Sequence, residues 1–154
     1  MRLRHTVFIG LAAASLASAP LVAQENLAPA VKARHAQMNL YAFNLGTLGA
    51  MAQDKMDYDA EAATAAAGNI VKLSSLNAMA MWAPGTAAGE AEGSRALPAI
   101  WENSDDVIAK TVALNEAAVA MEAAAGEGLD SLKAAFGPLG GACGDCHKSY
   151  REPE

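Results

Sequence analysis

Three side chains near the end of the sequence have the types and spacing of one chemistry. They lie in the run Cys143-Gly144-Asp145-Cys146-His147. On a helix of about 3.6 residues per turn, positions three and four apart share a face. Cys143 and His147 therefore point the same way, with Cys146 beside them. Two thiols so placed can form thioethers with neighbouring substituents of one porphyrin, and the imidazole then aims a nitrogen at the iron. Cys-x-x-Cys-His is the attachment signature of a c-type haem. Three other uses of the cysteines compete. A thioredoxin-like redox pair wants a βαβ context and a helix N-terminus, whereas no strand signal precedes this site. Structural zinc wants four ligands, and His35 has no metal spacing to the motif. A local disulfide leaves His147 unexplained. One covalent haem c, with His147 as axial iron ligand, accounts for all three residues.

The elements that must position this motif read as helices throughout. Alanine is abundant and β-branched residues are sparse, which favours helix. The first helix is expected over about 27–53. Val31, Arg34, Met38, Tyr41, Leu45, Leu48 and Ala52 step by three and four along it, the inward stripe of a bundle helix. Asp54–Asp59 is a polar break whose aspartates can cap the next helix. The second helix is expected over about 59–81, with Ala66, Ile70, Leu73 and Leu76 on one side. A loop over about 83–97 carries Pro84-Gly85, Gly89 and Gly93. Pro98 suits the first turn of a third helix, along which Ile100, Val107, Leu114 and Met121 recur every seventh residue. Gly126 and Gly128 end it. The fourth helix, about 129–151, carries the cysteine motif, and Pro138 within it predicts a kink or split near 134–137. The expected fold is all-α: an antiparallel four-helix bundle with haem attached to the C-terminal helix.

Composition bounds the setting. Arg2, Arg4 and His5 precede an apolar run from Val7 to Ala17, and small residues lead to Ala23. That order reads as a secretory leader over residues 1–23, leaving a bundle domain over 24–154. An eleven-residue apolar run is too short for a bilayer, which takes about 20 residues. Without the leader, 9 basic residues face 17 acidic ones, a formal charge of −8. No basic patch exists to hold phosphates, so nucleic acid is not an expected partner. No further apolar stretch approaches membrane length, so membrane insertion is not expected either. Export normally means disulfide staples, but cysteines with only two residues between them cannot join distant segments.

With these residues in view, the sequence resembles cytochrome c′ and its low-spin relatives, the class II c-type cytochromes. The carrying residues are Ala134-Ala135-Phe136-Gly137, Gly141-Ala142-Cys143 and Cys146-His147-Lys148-Ser149-Tyr150-Arg151, with Arg34 and Met38, Pro84-Gly85-Thr86 and Ile100-Trp101. The haem motif sits at the C-terminus, unlike the common small cytochromes c. The resemblance implies a left-twisted antiparallel bundle with haem between its helices and His147 as the proximal ligand. It places Arg151 beside that histidine, Arg34 near the haem edge and propionates, and Thr86 in a loop near the haem. His35 is off the inward stripe and is expected at the surface or haem edge, not on iron.

Met38 matches the position facing the iron, where the family divides. In the low-spin relatives a methionine from the first helix is the sixth ligand. In cytochrome c′ proper the iron is five-coordinate and this position is an apolar wall. A methionine serves either way, as a soft ligand or a flexible core filler. The flanks Leu40-Tyr41-Ala42-Phe43-Asn44-Leu45-Gly46 and Met51-Ala52-Gln53 look closer to the low-spin relatives. The expectation is therefore a periplasmic single-haem electron carrier serving periplasmic redox partner proteins, with Met38 as second axial ligand. The alternative is an open distal site that binds NO or CO. No catalytic constellation is evident and no enzyme is expected. A homodimer through the first two helices is a further expectation, since many relatives are homodimers.

Overall fold

The computed structural model describes residues 28–153; the expected leader and its cleavage point lie outside them. The described chain is helical. α1 spans Pro29–Ala52, α2 Ala60–Ser74, α3 Ala99–Glu102, α4 Ser104–Ala125 and α5 Leu129–Tyr150, with a 3₁₀ turn at Ala78–Met81. α1 packs on α2, α2 on α4, α4 on α5 and α5 on α1, which closes a four-helix bundle. Between the described residues the extended pairing is one isolated antiparallel bridge, Ala96 with Arg151.

Local chemistry explains most of the boundaries. Pro29 opens α1, where its missing N–H costs little. Asp59 caps α2 by accepting from the Ala62 N–H at 2.9 Å. α2 stops at Ser74, seven residues short of the expected end. The hydroxyls of Ser74 and Ser75 both donate back to the Val71 carbonyl, and Leu76 beyond them is 53% exposed. Asn77 then accepts from the Met79 N–H and starts the 3₁₀ turn. The expected third helix is two helices, interrupted at Asn103, whose amide donates to the Ala99 carbonyl at 3.0 Å. Pro138 does not split α5, which runs unbroken. Leu132 and Leu139, both fully buried, anchor it on either side of the proline, while Pro138 itself faces solvent.

The core lies in the half of the bundle away from the cysteine motif. Leu48, Met51, Ile70, Met121, Leu132 and Leu139 are fully buried there, each worth about 1.5–3 kcal/mol of removed apolar surface. Tyr58 ties that end together. Its hydroxyl donates to the Ala125 carbonyl at 2.8 Å and accepts from the Gly128 N–H at 3.1 Å. At the opposite end lie the start of α1, the end of α2, the start of α4 and the end of α5. The loop from residue 77 to 98 crosses this end. Its Leu97 N–H donates to the Tyr150 carbonyl at 3.0 Å, and its Arg95 carbonyl accepts from the Glu152 N–H at 2.9 Å.

Candidate haem-binding site

A cavity of about 470 Å³ opens between α1, α4, α5 and the 77–98 loop. That is within the usual range for small-molecule sites, roughly 300–1,000 Å³. Cys143, Cys146 and His147 line it from α5, as their helical spacing predicts. Met38, Tyr41 and Leu45 line it from α1, and Val107 and Leu114 from α4. Met38 is 37% exposed although it sits on the inward stripe, because the stripe here borders the cavity and not packed core.

The charge along this cavity is one-sided. Arg34, Arg95, Lys110 and Arg151 all border it, with the His35 imidazole beside Arg34, and no Asp or Glu is among the described residues that line it. In a chain of formal charge −6, that rim suits a ligand with carboxylates at its edge. An apolar slot, two adjacent thiols, an imidazole on the same helix face and a cationic rim fit a haem with its propionates outward. When bound, the haem supplies a one-electron iron couple.

The titratable groups have distinct environments. Burial holds the His147 pKa below the usual imidazole value, and the charges of Arg151 and Arg95 push it further down. The neutral ring that results is the form able to ligate metal. Burial pushes the Cys143 thiol up, and the nearby Cys146 adds to this. Cys146 is likewise raised by burial, with Lys110 opposing. Both are protonated thiols in the unloaded chain. Tyr41 is pushed up to about 12, first by burial and then by Cys143. Tyr150 also rises to about 12, chiefly through its 2.6 Å hydrogen bond to Asp106.

Arg34 is buried on its stripe and borders the cavity, and its terminal nitrogens are taken up by the 77–98 loop. One terminal nitrogen, Nη1, donates to the Met81 carbonyl at 3.0 Å and the Thr86 hydroxyl at 2.8 Å. The other, Nη2, donates to the Thr86 carbonyl at 2.8 Å and the Ser94 hydroxyl at 3.1 Å. The guanidinium also lies 4.7 Å from the centroid of the Trp82 ring. Its terminal N–H groups are thus committed to the loop, leaving the Nε–H as the group that can meet a propionate. Thr86 does not border the cavity; it stands behind Arg34 as a partner of its guanidinium. His35 borders the cavity beside Arg34, consistent with a place at the haem edge.

Sequence reasoning missed Trp82, Ser94, Arg95, Lys110 and the Tyr150–Asp106 pair. Trp82 borders the cavity and meets Trp101 edge-on at 6.4 Å, with the Trp101 indole N–H donating to the Trp82 carbonyl at 2.9 Å. An indole in a loop gives no periodic signal. Lys110 and Asp106, one helical turn apart on α4, were the one legible hint.

Comparison with known proteins agrees with this geometry. The family model described as Cytochrome C′ matches residues 29–151. The chain is 45% identical over 142 residues to a cytochrome c-554 of Cereibacter sphaeroides, covering 91% of this chain and 93% of that protein. A solved cytochrome c′ from Rhodobacter Spheriodes superposes with a TM-score of 0.79 at 42% identity, covering 81% of this chain and 96% of the other. A carbon monoxide-bound variant of cytochrome c′ from Alcaligenes xylosoxidans gives a TM-score of 0.70 at 34% identity, over 80% and 94% of the two chains.

Proposed function

The chain belongs to the cytochrome c′ family and is a haem c cytochrome, and from that premise we propose that it is an exported, periplasmic single-haem electron carrier. Cys143 and Cys146 hold the haem as thioethers, His147 is the proximal ligand and Met38 the distal one. The observation that carries this reading is that Met38 of α1 and His147 of α5 border one cavity from neighbouring helices. Methionine as an axial ligand raises the potential of a haem. With both axial positions filled by protein, little has to move when the iron changes charge. Burial, with Arg151 adding to it, lowers the His147 pKa and favours the neutral ring, and the basic rim takes the propionates. The role of the chain is to hold a redox couple; no residue on the cavity is assigned a catalytic step.

A second reading has its own support. The walls Leu45, Val107 and Leu114 are apolar, and a relative of the same fold has been solved with carbon monoxide bound. If Met38 is a wall, the distal side is open to NO or CO. A second copy of the chain is a further proposed partner: Leu40 and Phe43, on the outer face of α1, are 51% and 72% exposed.

Purified holoprotein tests the main reading directly. Its mass should equal the leaderless chain plus one haem that resists acid–acetone extraction. The iron should be low-spin in both oxidation states, with the weak near-infrared band of a sulfur–iron bond in the ferric form. A bare polypeptide mass from cells able to mature c-type cytochromes would end the haem assignment for these residues. A high-spin spectrum would transfer the function to gas binding.

A further inference from the structure

Three tyrosines occur in the chain, and their hydroxyl partners differ in kind. Tyr58 donates to the Ala125 carbonyl at the end away from the cysteine motif. Tyr41 borders the cavity, and its hydrogen-bonding neighbour is the neutral Gln37. Tyr150 donates to a carboxylate: its hydroxyl lies 2.6 Å from Asp106 Oδ2. That length is typical of an O–H group on an ionised acceptor and lies within proton-transfer reach. The same oxygen lies 3.7 Å from Lys110 Nζ, and the Asp106 side chain is 53% exposed. A proton arriving there therefore has an outlet to water. The ring of Tyr150, in contrast, is dry. The residue is 7% exposed, borders the cavity and belongs to the apolar cluster against which Cys146 packs. It stands three residues after His147 on α5, a spacing that sets Cβ atoms about 5–6 Å apart. Tyr150 thus reaches from the surroundings of the Cys146 sulfur and the axial imidazole to a base in contact with solvent.

We propose that Tyr150 and Asp106 form a redox-active pair that delivers an electron to the haem when a hydroperoxide attacks it, so that the oxidising equivalent ends as a tyrosyl radical and not as damage to the porphyrin. The inference rests on the reading that the haem occupies this cavity; it does not depend on Met38 as a ligand. The hydrogen bond to Asp106 pushes the Tyr150 pKa up to about 12, so the phenol is neutral at ordinary pH and oxidising it must release a proton. With hydrogen peroxide the reaction balances. The O–O bond breaks as the peroxide takes up two electrons, and two protons from solvent, to give two molecules of water. Ferrous iron supplies one electron and becomes ferric. Tyr150 supplies the other: its O–H bond breaks, the proton passes to Asp106 and on to solvent, and a neutral radical stays on the ring. Electrons from the redox partner return the iron to ferrous and the radical, with a proton through Asp106, to the phenol. Tyr41 lacks this route, because the Gln37 amide is not a base.

The test mixes reduced holoprotein with equimolar hydrogen peroxide, freezes the mixture at set times and records electron paramagnetic resonance for wild type, Tyr150→Phe, Asp106→Asn and Tyr41→Phe. Ring-deuterated tyrosine identifies a tyrosyl signal by narrowing it. Wild type should give this radical and Tyr150→Phe should not. Asp106→Asn keeps an oxygen for the hydrogen bond but no base, and should form the radical about a hundredfold more slowly, the low end of what a positioned base contributes. Haem absorbance should bleach faster in both variants, while their spectra before peroxide match wild type, which separates this role from a structural one. Asp106 is half exposed, so its variant serves if Tyr150→Phe fails to load haem. Every form is also made with Met38→Leu, so that a sulfur on the iron does not hide the reaction. No tyrosyl signal in either background, a signal that persists in Tyr150→Phe or disappears in Tyr41→Phe, or an unchanged rate in Asp106→Asn would each overturn the proposal. Failure of the haem assignment itself would show separately, as the bare polypeptide mass.

Discussion

Replacing Met38 by leucine separates ligation from packing. The two side chains are close in volume, and volume-conserving apolar exchanges cost under about 1.5 kcal/mol. Met38 is 37% exposed toward the cavity, so the packing cost in this position should fall at the low end of that range. What leucine cannot replace is the sulfur. If Met38 ligates iron, the variant becomes high-spin while its thermal midpoint in the unloaded chain barely moves. Carbon monoxide must displace the sulfur in the wild type but not in the variant. Each ~1.4 kcal/mol of iron–sulfur bond weakens carbon monoxide binding tenfold. A bond worth about 2.8 kcal/mol thus predicts a gain of roughly a hundredfold in Met38→Leu. Optical titration of the ferrous forms with carbon monoxide measures it. If wild type and variant bind carbon monoxide equally and share a high-spin spectrum, Met38 is a wall and the carrier reading gives way to the gas-binding one. A large loss of stability with no spectral change would refute the packing argument as well.

Three other outcomes follow from the structure. His147→Ala should remove most assembled holoprotein, measured as haem absorbance per mole of chain, while His35→Ala should leave the visible spectrum unchanged. Tyr58→Phe leaves the Ala125 carbonyl and the Gly128 N–H without their 2.8 and 3.1 Å partner, so chemical denaturation should show a loss of about 1–3 kcal/mol. Tyr41 and Tyr150 are both pushed up to about 12 in the folded chain, against an ordinary phenol value near 10. The folded state therefore prefers the neutral phenols: their contribution is complete below about pH 10 and is lost as pH rises through about 12. Thermal midpoints should fall across that window, less steeply in Tyr41→Phe; identical slopes would show that Tyr41 is not responsible.

The parts of the fold legible in the sequence are those encoded by local spacing. Cys143, Cys146 and His147 share a face because helical geometry places them so, and the Val31–Ala52 stripe marks α1 for the same reason. Boundaries set by competing local bonds were less legible. Apolar periodicity through Leu76 argued for a longer α2, but the serine hydroxyls bonding back to Val71 and the exposure of Leu76 show that the pattern outran the core. Pro138 argued for a break, yet the buried leucines on either side keep α5 continuous while the proline faces solvent. In that case tertiary packing outweighed a local preference.

The loop from 77 to 98 shows the limit of such reading most clearly. Its residues have no period, and its conformation is fixed by bonds from far along the chain. Arg34 reaches Met81, Thr86 and Ser94 across sequence separations of 47, 52 and 60 residues, and Leu97 meets the end of α5 through the Tyr150 carbonyl. An arginine on an apolar stripe told that an interior charge needed partners, and chemistry suggested an anion. Within the chain the terminal nitrogens meet neutral dipoles, which leaves the Nε–H side of the guanidinium for an anion that a ligand of the cavity would bring. The loop is thus more than a connection between α2 and α3: through Arg34 and the Tyr150 carbonyl it joins the helix bearing Met38 to the helix bearing His147, and it fixes the guanidinium at the border of the space between them.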